Sequence, residues 1–191
     1  MRILISLLVT MGMAFGASAA PITEFETNYD GSNVEVTDIN DGWSIGNLDL
    51  SLSNTLNSTK FSLEEGESKS FDFFDIRLPF GKGSADINAT LDFLTPEGAS
   101  GSSQGDGWWK SVFFVSKGGL TWDEQPGLIE LDNGASFQLA FEDLAGIQLG
   151  NKSTVQATVT SVSAASVPEP GTLALLGMGL FGLGLSRSRR N

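Results

Sequence analysis

The sequence predicts an all-β protein: a single antiparallel β-sandwich, jelly-roll-like or another Greek key, set between an N-terminal signal helix and a C-terminal transmembrane helix. Three observations carry this. Apolar residues between the two ends recur with period two, the spacing of a strand with one dry face. Turn-forming Gly, Asn, Asp and Pro interrupt the chain at short intervals. No stretch of the middle has the three-to-four spacing of an amphipathic helix.

The clearest strand is Ala85, Ile87, Ala89, Leu91 and Phe93, alternating with Asp86, Asn88, Thr90 and Asp92. The same alternation marks Leu48, Leu50 and Leu52; Ser111, Phe113 and Val115; Phe137, Leu139 and Phe141; and Val155, Ala157 and Val159. At Phe73-Phe74 it slips, because Phe71 and Phe73 fall on one face while Phe74, Ile76 and Leu78 fall on the other; either both faces are buried or a β-bulge shifts the register. Turns are expected at 30–33, 41–42, 64–67, 79–83 and 132–134, and Asn133-Gly134 is a short-hairpin signal between 129–131 and 136–141. The Gly/Ser-rich run 96–107 reads as a flexible loop, and 142–147 as one helical turn. No internal repeat is visible, which argues against a solenoid or propeller.

The chain has 191 residues, enough for one core, expected over 20–163. It contains no cysteine and no histidine. Disulfides, thiolate metal sites, an imidazole base and a Ser-His-Asp relay are therefore excluded, and the sequence predicts no enzyme. From Ala20 to Val167, seven Lys and Arg stand against twenty-two Asp and Glu, a charge of about −15. Such a surface repels nucleic acid and anionic lipid.

Both ends carry processing signals. Met1-Arg2 is a basic start, Ile3 to Phe15 is almost wholly apolar, and Ala17 and Ala19 are the small residues a signal peptidase reads. Residues 1–19 are thus a cleavable signal, with Ala20 the first residue of the exported form. At the other end, 164–167 links the domain to Pro168-Glu169-Pro170, an uncharged Leu/Gly-rich stretch over 172–185, and a basic tail, 186–191, holding Arg187, Arg189 and Arg190. The prolines fix φ and disfavour helix before them, so Glu169 sits in an extended segment and the apolar helix begins only afterwards. Fourteen residues at 1.5 Å rise span about 21 Å, less than the ~30 Å hydrocarbon core, which makes this a marginal anchor with its arginines on the cytoplasmic side.

That order of motif, apolar span and basic stop resembles the PEP-CTERM sorting signal, over roughly the last 25 residues. The resemblance implies a substrate of exosortase, a membrane-embedded protease, in a family associated with bacteria that make extracellular polysaccharide. It implies a transient inner-membrane anchor followed by release to the cell surface or extracellular matrix. It says nothing of what the β domain does. The expectation is a structural surface or biofilm-matrix protein, with a carbohydrate-binding module as the alternative.

For that alternative the residues are Trp108 and Trp109. Adjacent strand residues point to opposite sides, so at least one indole faces solvent or a loop-covered groove. Extracellular polysaccharide is then the ligand, neutral or bridged by calcium given the acidic body. Asp38-Ile39-Asn40-Asp41-Gly42 fails as an EF-hand, since its glycine comes one residue early and no closing glutamate follows; it reads as an acidic turn. No cofactor is expected; the one opening is for calcium, since irregular calcium sites on β-sandwiches use scattered carboxylates. Asp72 with Asp75, and Asp123 with Glu124, are carboxylate pairs that nothing in the sequence places in a cleft.

Overall fold

The computed structural model describes residues 22–112 and 115–163. The expected signal and transmembrane helices, and every residue of the sorting segment, lie outside them. Within the described residues the chain forms twelve strands and one 3-10 turn, Asn54–Ser58. They make two sheets, antiparallel throughout.

The seven-stranded sheet runs β11 (Leu144–Ile147), β8 (Val115–Trp122), β7 (Ser100–Val112), β6 (Phe80–Thr95), β1 (Ile22–Thr27) and β4 (Lys60–Glu64); β2 (Asn33–Ile45) also pairs with β6. The five-stranded sheet runs β3 (Asp49–Leu52), β5 (Ser68–Arg77), β12 (Lys152–Ser163), β10 (Ser136–Phe141) and β9 (Gly127–Glu130). From β2 to β6 each successive strand lies in the opposite sheet, and β6, β7 and β8 then form a meander.

One apolar core lies between the sheets. The alternation of β6 puts Ala85, Ile87, Ala89, Leu91 and Phe93 inside, and β12 answers with Val155, Ala157 and Val159. Phe137 of β10 meets Phe25 of β1 edge-on at 5.1 Å and Phe93 of β6 at 5.6 Å, tying the sheets together through rings. Each buried ring contributes about 1.5–3 kcal/mol relative to exposure.

The slip at Phe73-Phe74 is a β-bulge. Val155 pairs with Phe74 and the next residue, Gln156, pairs with Asp72, leaving Phe73 as the extra residue. Both rings are thereby buried. The Asn133-Gly134 hairpin forms as expected: Gly134 has φ +81°, its N–H donates to Leu131 O at 2.9 Å, and β9 and β10 pair on either side.

Four local expectations are corrected. Residues 100–107 belong to β7 rather than to a flexible loop. Their inward positions are Gly101, Ser103, Gly105 and Gly107, with no large apolar residue among them, which hides the period-two pattern; a Cβ on Gly105 would stand 2.8 Å from Trp122 Cε3, and one on Gly107 3.2 Å from Ile87 Cδ1. Neighbouring side chains fill the space that an apolar residue of β7 would otherwise occupy.

Residues 144–147 form β11 against β8 and not a helical turn. Asp41-Gly42 and residues 80–83 lie inside β2 and β6, paired with each other, so the acidic run 38–42 is bulged strand rather than turn. Val112 and Val115 are cross-strand partners, so the alternation from Ser111 to Val115 spans two strands. Residues 113 and 114 lie outside the described residues.

Candidate functional site

The outer face of the seven-stranded sheet gathers the site. Along β7 the outward residues are Ser102, Gln104, Asp106, Trp108, Lys110 and Val112, all exposed. Strand geometry sets neighbours on one face about 6.7 Å apart, so the strand presents hydroxyl, amide, carboxylate, indole and ammonium in turn.

Trp108 is 44% exposed and Trp109 is 1% exposed. The expectation that the pair divides between the two faces of the strand is met. Trp109 as a sugar platform is corrected: its ring lies over Gly83 in the core and its Nε1 donates to Ser44 Oγ at 3.2 Å. Trp108 lies instead over Gly119 on β8, its cross-strand partner, with its Nε1 and Cε2 close to where a Cβ on that residue would stand. Trp43, at 54%, is a second exposed indole, on β2 opposite Lys82. Sequence reasoning missed its exposure because residue 43 follows a bulge between Asp41 and Trp43. Trp122 is buried; its Nε1 donates to Glu142 O at 3.0 Å.

Register then sorts the charges around Trp108. On one side Asp106 pairs with Asp86, which pairs with Asp38, a row of three carboxylates across three strands. Asp106 is held above the usual carboxylate range, first by partial removal from water, then by repulsion from Asp123 and Asp86 and a hydrogen bond shared with Asp86. On the other side Lys110 pairs with both Lys82 and Lys117. Beyond the aspartates, Asn88, Ser102, Gln104, Asp123 and Glu124 line a shallow polar depression of about 570 Å³.

The other carboxylate pair has a structural setting. Asp75 accepts from Lys152 Nζ at 2.8 Å and Thr154 Oγ1 at 2.7 Å, and Asp72 accepts from Gln156 Nε2 at 3.3 Å. Both are cross-strand contacts between β5 and β12. Among the described residues, no group of three or more Asp or Glu is set to hold a metal ion, and no helix is long and apolar enough to cross a membrane. Ala17, Ala19, Ala20, Pro168, Glu169, Pro170, Arg187, Arg189 and Arg190 lie outside those residues.

The architecture defines an all-β domain of two antiparallel sheets whose last strand closes just before the C-terminal segment. That segment carries the PEP-CTERM protein-sorting motif: the family model of that description matches residues 166–190. The match supports an exported chain that exosortase, a membrane protein, processes. No curated protein and no solved structure matches the chain.

Proposed function

We propose that this chain is a non-enzymatic, exosortase-processed protein of the cell surface or extracellular matrix, associated with biofilm and exopolysaccharide. The observation that carries the reading is the sorting motif at 166–190, three residues beyond the end of β12 at Ser163. That strand is central in its sheet, between β5 and β10. Four residues, 164–167, separate it from Pro168, a reach of at most about 14 Å. The domain is thus held within a few residues of the bilayer until cleavage and leaves with its sheets intact. Signal peptidase removes 1–19 in the same reading.

The test replaces Pro168-Glu169-Pro170 by three alanines in the host. The expected outcome is full-length protein retained in the inner-membrane fraction. Wild-type processing and release would overturn the reading.

A second reading is favoured by Trp108: the domain binds a glycan along β7. A half-exposed indole backed by Gly119 offers a flat apolar surface, and stacked rings on such platforms contribute about 1–3 kcal/mol each in nucleic-acid complexes. Asp106, Gln104 and Asn88 supply acceptors and donors for ring hydroxyls beside it. Tryptophan fluorescence titrated with host polysaccharide should respond in the wild type and not in Trp108→Ala. An unchanged wild-type spectrum leaves the structural reading alone.

A further inference from the structure

Seven cations stand between Ala20 and Val167, and three of them form one ladder. Lys82 on β6 is paired with Lys110 on β7, and Lys110 with Lys117 on β8. Directly opposed side chains share a face at roughly 5 Å, where like charges repel. The ladder is exposed, and among the described residues none of its members makes an ion pair. Lys60 and Lys152, by contrast, are paired with Glu26 and Asp75. In a domain with twenty-two acids, three neighbouring lysines without a carboxylate between them are an arrangement that register alone created.

Both exposed indoles adjoin the ladder. Trp43 is the cross-strand partner of Lys82, and Trp108 is two residues from Lys110 on the same face. On the far side of Trp108 lies the carboxylate row, Asp106 with Asp86. The indole therefore has cationic donors on one flank and hydroxyl acceptors on the other.

We propose that this face binds an acidic polysaccharide, a sugar ring stacking on Trp108 with its carboxylate on the Lys82–Lys110–Lys117 ladder and its hydroxyls on Asp86 and Asp106. The inference rests on the glycan reading of Trp108 and specifies its ligand. Bulk charge argues for a neutral or calcium-bridged glycan, but charges interact over about 8–10 Å at physiological salt, so a local cluster of cations decides the matter at that range. A nucleic acid fits less well. It stacks on tryptophan and pairs with lysine, but it sets phosphates where a hydroxyl-rich ring sets donors, against Asp86, Asp106 and a body of about −15. An anionic membrane meets the same repulsion.

The test uses the full chain in neutral detergent, with polygalacturonate, alginate and hyaluronate as probes beside their methyl-esterified, uncharged forms. Affinity electrophoresis and fluorescence titration are run in EDTA and in calcium. The expected result is binding of at least one acidic polymer in EDTA, lost on esterification and at high salt. The triple substitution Lys82→Gln, Lys110→Gln, Lys117→Gln should weaken it about tenfold, and Trp108→Ala should weaken it comparably. These side chains are exposed, so an unaltered circular dichroism spectrum confirms that the fold persists.

Equal binding of esterified and acidic forms, unaffected by the triple substitution, would overturn the acidic ligand and leave the glycan reading standing. Binding that requires calcium would also overturn the ladder's role. No binding to any form would overturn this inference, and the titration with host polysaccharide then decides the glycan reading by itself. Stronger, ladder-dependent binding of a single-stranded oligonucleotide or of anionic lipid vesicles would overturn the ligand class.

Discussion

Trp108 lies over Gly119, its partner across β7 and β8: a Cβ on Gly119 would stand 2.8 Å from the indole Nε1 and 2.8 Å from the Leu144 carbonyl oxygen of β11. The glycine is the seat of the ring. Gly119→Ala must therefore move both a side chain and a backbone, and overpacking of this kind costs about 1–3 kcal/mol. Denaturant unfolding should show that loss, and Trp108 emission should shift as the ring lifts from the sheet. Unchanged stability and spectrum would mean the ring does not rest there.

Gly105 is the corresponding test of the inner face of β7. A Cβ there meets the Thr121 carbonyl oxygen at 2.8 Å and Trp122 at 2.8 Å. Gly105→Ala should destabilise by about 1–3 kcal/mol, whereas Ser102→Ala, on the outer face of the same strand, should change stability by less than about 0.5 kcal/mol. Equal, small effects at both positions would restore a flexible loop over 96–107.

Phe137 joins the two sheets through Phe25 and Phe93. Phe137→Ala should lower stability by about 3–5 kcal/mol, the usual range for a core aromatic, read as a drop in the denaturation midpoint.

Ser161 carries a buried hydroxyl that has no hydrogen-bond partner among the described residues. It occupies the next inward position of β12 after Val155, Ala157 and Val159. An unsatisfied buried hydroxyl costs about 1–3 kcal/mol, so Ser161→Ala should leave stability unchanged or raise it by roughly 1 kcal/mol. A clear loss of stability would show that the hydroxyl is bonded.

Asp106 gives a pH dependence with a definite sign. Its carboxyl is raised above 3.8 by partial desolvation, by Asp123 and Asp86, and by the hydrogen bond with Asp86, while Lys110 stands four residues away on the same face, beyond Trp108. The folded state thus binds the proton more tightly than the unfolded chain, and its penalty is full above the folded value and relieved as pH falls toward 3.8. Asp106→Asn should stabilise near neutral pH by about 0.3 kcal/mol, the low end expected of an exposed cross-strand pair, and the gain should shrink on acidification. A gain that grows with acid would reverse the assignment.

The sequence by itself determined the all-β class, because period-two alternation in segments such as 85–93 and 155–159 is local. It determined the Asn133-Gly134 turn, since positive φ there follows from residue type. It also determined the sorting segment, whose motif, apolar run and basic tail are contiguous and need no fold to be read. It established that Trp108 and Trp109 point apart, but not which of them is inside. Only the tertiary structure decided that, because the dry side of a strand is whichever side the other sheet covers. The strand character of 100–107 was hidden for the same reason: its inward glycines are filled by Trp122, Ile87 and Leu139, which arrive from elsewhere in the chain. Register is likewise nonlocal. The alignment of Lys82, Lys110 and Lys117 beside Trp108 arises from the register in which β6, β7 and β8 pair, and a shift of one residue would have sent alternate members to the core.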